Sequence, residues 1–217
     1  MEQMPYHPDT HDHARAPIGA ATVSSDWHCG LPVLTSGRVT IRDLRMSDAR
    51  SLFTMLASHE VARFISPPPG TVEGFERFIE WTHCRRDEGT YICFAIVPAG
   101  YDNAVGIIQV RQMDLGWDTA EWGFAIGAPF WGTGAFLESA RLVVDFVFGT
   151  IGVHRLEARA AVRNGRGNGA LGKLGAVREG LLRKSFLRDG EYLDQVLWSI
   201  VREDWMQSKA VWSDRVH

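Results

Sequence analysis

"APFWGTGAFLESARLVVDFVFGTIG", residues 128–152, puts Trp131-Gly132-Thr133-Gly134 at the start of an apolar, helix-like run. Glycine is a poor helix former and costs conformational entropy on folding. Two glycines at a helix start therefore imply that the backbone itself must come close to another group. Helix N-termini carry unpaired N–H groups and a partial positive charge, so the group they favour is an anion. The helix is predicted from about Gly134 to Phe148. Its polar residues Glu138, Arg141 and Asp145 form one wet stripe and the other sides are apolar, so it should lie buried against a sheet.

The flanking pattern supplies that sheet. Residues 119–126 read as a strand before the turn. Residues 155–162 read as one after the helix, with Leu156, Ala158 and Ala160 alternating with Arg155, Glu157 and Arg159. Upstream, "RVTIRDL" alternates through Val39 and Ile41. A helix follows Ser47, "SPPPGT" (66–71) breaks the chain, and an amphipathic helix through Phe75, Phe78 and Ile79 ends at Gly89. Strands over 91–97, 104–113 and 119–126 are close enough to form an antiparallel meander. Downstream come a short helix over 168–176 and strands over 177–186 and 191–200, joined by the turn 188–191. The fold class is mixed α/β (α+β).

Residues 1–30 read as a polar tail, 31–205 as one domain and 206–217 as a C-terminal extension. The tail holds Pro5, Pro8 and Pro17. Its His7, His11 and His13 are completed by no Cys or carboxylate cluster, so no metal site is expected. The chain has 217 residues, 45% hydrophobic and 23% charged, a soluble globular composition. No apolar run approaches the roughly 20 residues of a membrane span, and no basic-then-apolar leader is visible. Cys29, Cys84 and Cys93 are odd in number and widely spaced, which fits a reducing cytoplasm rather than a disulfide framework.

The net charge of -3 argues against general nucleic-acid affinity. Its distribution is uneven. From Arg155 to Arg188 nine basic residues face only Glu157 and Glu179, a local +7 that leaves -10 for the remainder. Such a segment suits a small, multiply anionic ligand or an ordinary solvated surface.

Three ligand classes use a glycine turn at a helix start. A dinucleotide fingerprint, G-x-G-x-x-G, matches at Gly132 and Gly134 but meets Leu137 at its third place. A nucleotide-triphosphate loop needs a Lys and a spacing that are absent. The third class is acyl-coenzyme A. The run from Ala120 to Ile200 resembles the GNAT superfamily of acyl-CoA-dependent N-acyltransferases, and within it the branch of ribosomal-protein N-terminal acetyltransferases. The residues that carry the resemblance are Glu121 before Gly123, Gly132-x-Gly134, Asn164, Lys173-Leu174-Gly175, Glu179-Gly180 and Asp194. Three places depart from the family pattern. Pro129 stands where Gln or Arg is common, Gly167 where Ser is common, and Ala176 where an aromatic is usual.

The resemblance implies a GNAT-like, mostly antiparallel twisted sheet of six to seven strands whose central strands splay. It implies direct attack of an amine on acetyl-CoA, the acceptor being a protein N-terminus or a small amine. Phe124, Ile126, Trp131, Gly132, Thr133, Gly134, Ala135, Phe136, Asn164 and Lys173 would bind the cofactor, and a backbone N–H near Ile126 would receive the oxyanion. Glu121 would take the amine proton, or else be a structural carboxylate paired with Arg155 or Arg159. Asn164 would hold the pantetheine arm or a water, or else cap a helix. Tyr192 or Ser185 would protonate the thiolate. Cys84 and Cys93 lack a His and acid at a telling spacing and read as core thiols, and His154 reads as structural. The segment 58–90 is expected to shape the acceptor cleft. Trp198, Trp205 and Trp212 suggest a homodimer. Two rival readings are a non-catalytic acyl-CoA-binding module and a transferase for succinyl-CoA. The latter would need a cation near the acyl end.

Overall fold

The strand Tyr91–Pro98 is buried at every residue, so it needs cover on both faces. Its alternation sorts that cover: Ile92, Phe94 and Ile96 join one hydrophobic cluster, and Tyr91, Cys93, Ala95 and Val97 another. In the computed structural model, which describes residues 27–213, this strand is the third of eight. They are β1 (Leu34–Thr35), β2 (Val39–Asp43), β3 (Tyr91–Pro98), β4 (Gly106–Gln112), β5 (Thr119–Ile126), β6 (Arg155–Ala161), β7 (Val177–Arg188) and β8 (Glu191–Val201). They form one sheet in the order β1-β2-β3-β4-β5-β6-β8-β7. Every neighbouring pair is antiparallel except β5 and β6.

The helices are α1 (Ala49–Leu56), α2 (His59–Ala62), α3 (Val72–Asp87), α4 (Ala135–Phe146), α5 (Gly165–Leu174) and α6 (Arg202–Ser213). Helices α1 and α3 cover what we call the front face. There Leu52, Leu56, Phe75, Phe78 and Ile79 pack on the Tyr91 side of β3 and on Ile107 and Ala125. Helix α4 covers the back with Ala140, Val143, Val144 and Phe146, whose ring meets Phe94 edge-on at 5.4 Å.

The differences from the sequence reading are local. Strand β1 is an eighth strand of two residues, too short to show alternation. Helix α2 has a single turn, started by Ser58 accepting from Val61 N at 3.4 Å. Helix α5 starts three residues earlier than its apolar pattern, because Asn164 Oδ1 accepts from Gly167 N at 2.9 Å and caps it. Trp27, inside the stretch read as tail, is buried edge-on to Trp117 at 5.8 Å. Helix α6 runs across the expected boundary at residue 205. The tail histidines and the side chain of Trp212 lie outside the described residues. Trp198 donates to Asn168 Oδ1 at 2.9 Å and Trp205 to Asp145 Oδ1 at 2.7 Å. Both indole N–H groups thus have partners within their own chain.

One buried ion pair anchors the front layer. Asp48, with no exposed surface, receives two bonds from Arg42 (2.8 and 2.9 Å), one from Arg45 N (2.8 Å) and one from Ala104 N (2.8 Å). Burial alone would raise its pKa; Arg42 and the two amides outweigh burial and hold it below the ordinary carboxylate value. The folded-state pKa is depressed, so the stabilisation is complete above the unfolded pKa and is lost as pH falls through the folded one. Asp48→Asn leaves Arg42 buried without a counter-charge and should destabilise by about 3–5 kcal/mol at pH 7. Urea unfolding at pH 7 and at pH 3 should show the gap between wild type and variant narrowing at the lower pH. A gap that stays constant contradicts this assignment.

Candidate active site

Strands β5 and β6 pair over only three steps, Thr119 with Arg155, Ala120 with Leu156 and Glu121 with Glu157. Beyond that vertex β5 continues on β4 to Ile126, β6 continues on β8 to Ala161, and a gap opens between them. The groups facing the gap follow from the ladders. Thr119 O accepts from Met113 N (3.0 Å) and Gly127 N donates to Val105 O (2.9 Å). Odd-numbered residues of β5 thus turn their main chain to β4, and Trp122, Phe124 and Ile126 turn theirs to the gap. On β6, Val162 N donates to Asp194 O at 2.9 Å, so Arg159 and Ala161 face the gap. Two carbonyls at the open end have partners: Ile126 O takes Trp131 Nε1 at 3.0 Å, and Ala161 O takes Asn164 N at 2.8 Å and Asn168 Nδ2 at 2.9 Å.

The glycine turn stands at this open end. Gly132 and Gly134 have φ of +75° and +89°, where a Cβ is strained, and Gly134 is the N-cap of α4. Thr133 Oγ1 donates to Phe130 O at 2.8 Å and receives Ala135 N at 3.3 Å, which fixes the turn without a side-chain cap from residue 134. Phe136 packs on Phe124 at 4.1 Å behind the gap. Arg38 had no part in the sequence reading. It lies beside the turn, with Nη1 3.6 Å from where a Gly134 Cβ would stand and Nε 3.5 Å from Glu138. Arg166 stacks over Trp131 at 3.8 Å and lies 3.7 Å from Glu60 of α2, so it bridges both lips of the gap.

Glu121 lies at the vertex, buried, on the front face. Of the two arginines expected as its partner, Arg159 is at ion-pair distance and Arg155 is not, and the hydrogen-bonded partner is a third. Arg111, directly opposite on β4, donates Nε to Oε2 at 2.7 Å and adds a second contact through Nη2. Arg159 Nε lies 3.7 Å from Oε1. Arg155 is committed to Glu157 (2.8 Å) and to Glu179, whose pKa it pulls down to about 2. Two residues along β5, Gly123 leaves the front open; Gln109 Nε2 is 3.2 Å from its absent Cβ, and Tyr91 Oη donates to Gln109 Oε1 at 2.6 Å. Ile65, Ser66, Ile107, Gln109 and Ala125 bound a small recess there, to which the segment 58–90 contributes Ile65 and Ser66.

Other predicted residues fall elsewhere. Tyr192 is exposed on the β7–β8 hairpin. It is seven residues along β8 from Ser199, which is level with Glu157, so roughly 23 Å separates it from the vertex along the strand. Ser185 is spent on Leu182 O and Gln195 Oε1 (3.1 and 3.0 Å). Lys173 ends α5, nine residues or about 13 Å from the Asn164 end. It lines a separate cavity of about 470 Å³ with Arg141, Asp145 and Trp205. Burial pushes the Cys93 thiol well above its ordinary pKa, while Cys84 is exposed. His154 is exposed, 3.6 Å from Glu203.

A splayed parallel pair inside an antiparallel sheet, with a glycine turn and helix start at its open end, is the arrangement that the sequence resemblance implied. The chain belongs to the GNAT acetyltransferases: the acetyltransferase (GNAT) domain family matches residues 38–177. It is 25% identical over 176 residues to the uncharacterized N-acetyltransferase p20 of Bacillus licheniformis, covering 81% of this chain and 99% of p20. It is 30% identical over 119 residues to the [ribosomal protein uS5]-alanine N-acetyltransferase of Escherichia coli K12, covering 54% of this chain and 61% of that enzyme. Mycobacterium smegmatis RimJ, solved with CoA-disulfide, shares the fold at a TM-score of 0.70 and 22% identity, over 76% of this chain and 83% of its own.

Gly134→Val puts a branched Cβ at φ +89° beside Arg38. CoA affinity, measured by calorimetry, should fall by about tenfold or more, as expected when a helix-N-terminal anion site is blocked. Unchanged affinity in a folded variant would place the pyrophosphate elsewhere.

Proposed function

We propose that this chain moves an acetyl group from acetyl-CoA to a primary amine by direct attack, with Glu121 as the proton acceptor. The observation that carries this reading is the end of β5–β6 pairing at Glu121 and Glu157. It leaves strand N–H and C=O groups facing a gap at the side of a buried carboxylate, and buried backbone groups require partners. The pantetheine arm, itself amide-bearing, is a suitable partner. The pyrophosphate would lie on the amides of residues 132–136. Arg38 would supply the side-chain cation that Pro129 does not.

The amine nitrogen attacks the thioester carbon, a C–N bond forms, the C–S bond breaks and the thiolate leaves. α-Amino groups titrate near pKa 7.7–8.0, so a proton must be removed. Both Arg111 contacts fall on Oε2 of Glu121, while Oε1 faces Arg159 at 3.7 Å without a hydrogen bond, so Oε1 is the oxygen able to take it, directly or through water. The Phe124 N–H, turned to the gap three residues from Glu121, is the candidate oxyanion donor; the Ile126 N–H expected from the sequence lies five residues, about 17 Å, along β5 from Glu121 and cannot serve the same thioester. Asn164 here is a cap, and Tyr192 is too far along β8 to serve as the acid. We place the protein in the cytoplasm, where three cysteines outside any disulfide are stable.

Glu121→Gln should lower kcat by about 100-fold while acetyl-CoA affinity by calorimetry stays within experimental error. Activity close to wild type would remove Glu121 as the base. Covalent catalysis by Cys93 is tested separately. A buried thiol of raised pKa should resist iodoacetamide under native conditions, and Cys93→Ser should retain transfer activity. Labelling of Cys93 that tracks activity loss would reverse this conclusion.

A further inference from the structure

At the front of the vertex two guanidinium groups meet one carboxylate. Arg111 is matched to Glu121 Oε2. Arg159 is not matched: its ion pair with Glu121 is 3.7 Å long, and its Nε is buried without a hydrogen-bond partner among the described residues. Arg159 is paired with Leu197 and Ala161 with Gln195 in the β6–β8 register, so Arg159 and Gln195 are diagonal neighbours on one face. Gln195 has no exposed surface. One end of its amide meets Ser185 Oγ at 3.0 Å, and Nε2 has no partner among the described residues. Buried polar groups are normally paired, and two unpaired ones at diagonal positions on one face point to a ligand group that completes them.

The donor inventory gives its sign. Three carboxylates stand against three guanidiniums on this face, but their hydrogen bonds go to two of them: Glu121 to Arg111, Glu157 to Arg155, and Glu179 to Arg155 and Ser199. Arg159 is left without a hydrogen bond to a carboxylate among the described residues, and a guanidinium can only donate. We propose that the acceptor is an amine that also carries a carboxylate, which Arg159 receives with Gln195 at its side. This rests on the acetyl-transfer reading above and adds the acceptor class to it. A polyamine would instead bring a second ammonium towards an unmatched guanidinium, which like-charge repulsion disfavours.

The test is kcat/KM with acetyl-CoA for amino acids and short peptides, for the same molecules with amidated carboxylates, and for spermidine. Carboxylate-bearing amines should exceed their amides by about tenfold or more, the scale of a charge-assisted hydrogen bond. Arg159→Gln should bring that ratio near one and Arg159→Lys should restore part of it. Circular dichroism of each variant separates this from misfolding. Equal use of spermidine or of the amides overturns the proposal. So does an Arg159→Gln variant that lowers kcat for every acceptor alike with the ratio intact, which would make Arg159 a support for Glu121 or the thiolate. A preference for succinyl-CoA over acetyl-CoA with amidated acceptors, lost in Arg159→Gln, assigns the anion to the donor and overturns it too. Absence of transfer to every amine, with CoA bound, refutes the transferase reading itself.

Discussion

The site depends on the point where β5 and β6 stop pairing. Interior strands of a sheet normally satisfy each other, because a buried amide or carbonyl left unpaired costs on the order of 1–3 kcal/mol. Here three steps of parallel ladder end at Glu121 and Glu157, and each strand follows its outer neighbour. The open end is held from both sides: Trp131 turns its indole to Ile126 O, and Asn164 and Asn168 hold Ala161 O. The lips are thus fixed by their own chain, and the main-chain groups between them are left for a ligand that can imitate a strand. The glycine turn, the start of α4 and the carboxylate at the vertex take their chemical meaning from where that gap begins and ends.

The same gap orders the charges around it. The excess of basic residues between Arg155 and Arg188 does not gather into one patch. Arg155 is neutralised by Glu157 and Glu179, Arg163 faces Glu191, and Lys173 lies at the far end of α5. Near the gap there remain Arg159 at the vertex and Arg166 over Trp131, with Arg38 arriving from the start of β2. On the proposed reading, donor phosphates and acceptor would meet different cations, Arg38 beside the glycine turn and Arg159 at the vertex.

Much of this was legible in the sequence because it rests on short-range patterns. The glycine pair, the apolar faces of α3 and α4 and the alternation of Leu156, Ala158 and Ala160 are each set by neighbours within a few residues. The sequence was less informative where register decides. Arg111 is the partner of Glu121 because the β4–β5 hairpin sets them opposite each other. Alternation along the two strands carried that signal, but only once the 114–118 turn fixed the register. Tyr192 looked near because it follows the site closely in sequence, yet β8 carries it away from the vertex. Lys173 was misplaced for a similar reason: a ten-residue helix has two distant ends. The start of α5 was read from apolar spacing, whereas Asn164 sets it by capping, a polar signal that precedes the apolar pattern.

Amide hydrogen exchange with and without CoA tests most directly whether the gap is a place for a surrogate strand. Bound CoA should slow exchange at Phe124 and Ile126 of β5 and at Arg159 and Ala161 of β6, together with the first turn of α4. Protection confined to the cavity around Lys173 and Trp205, or absent from Phe124 and Ile126, would contradict that role.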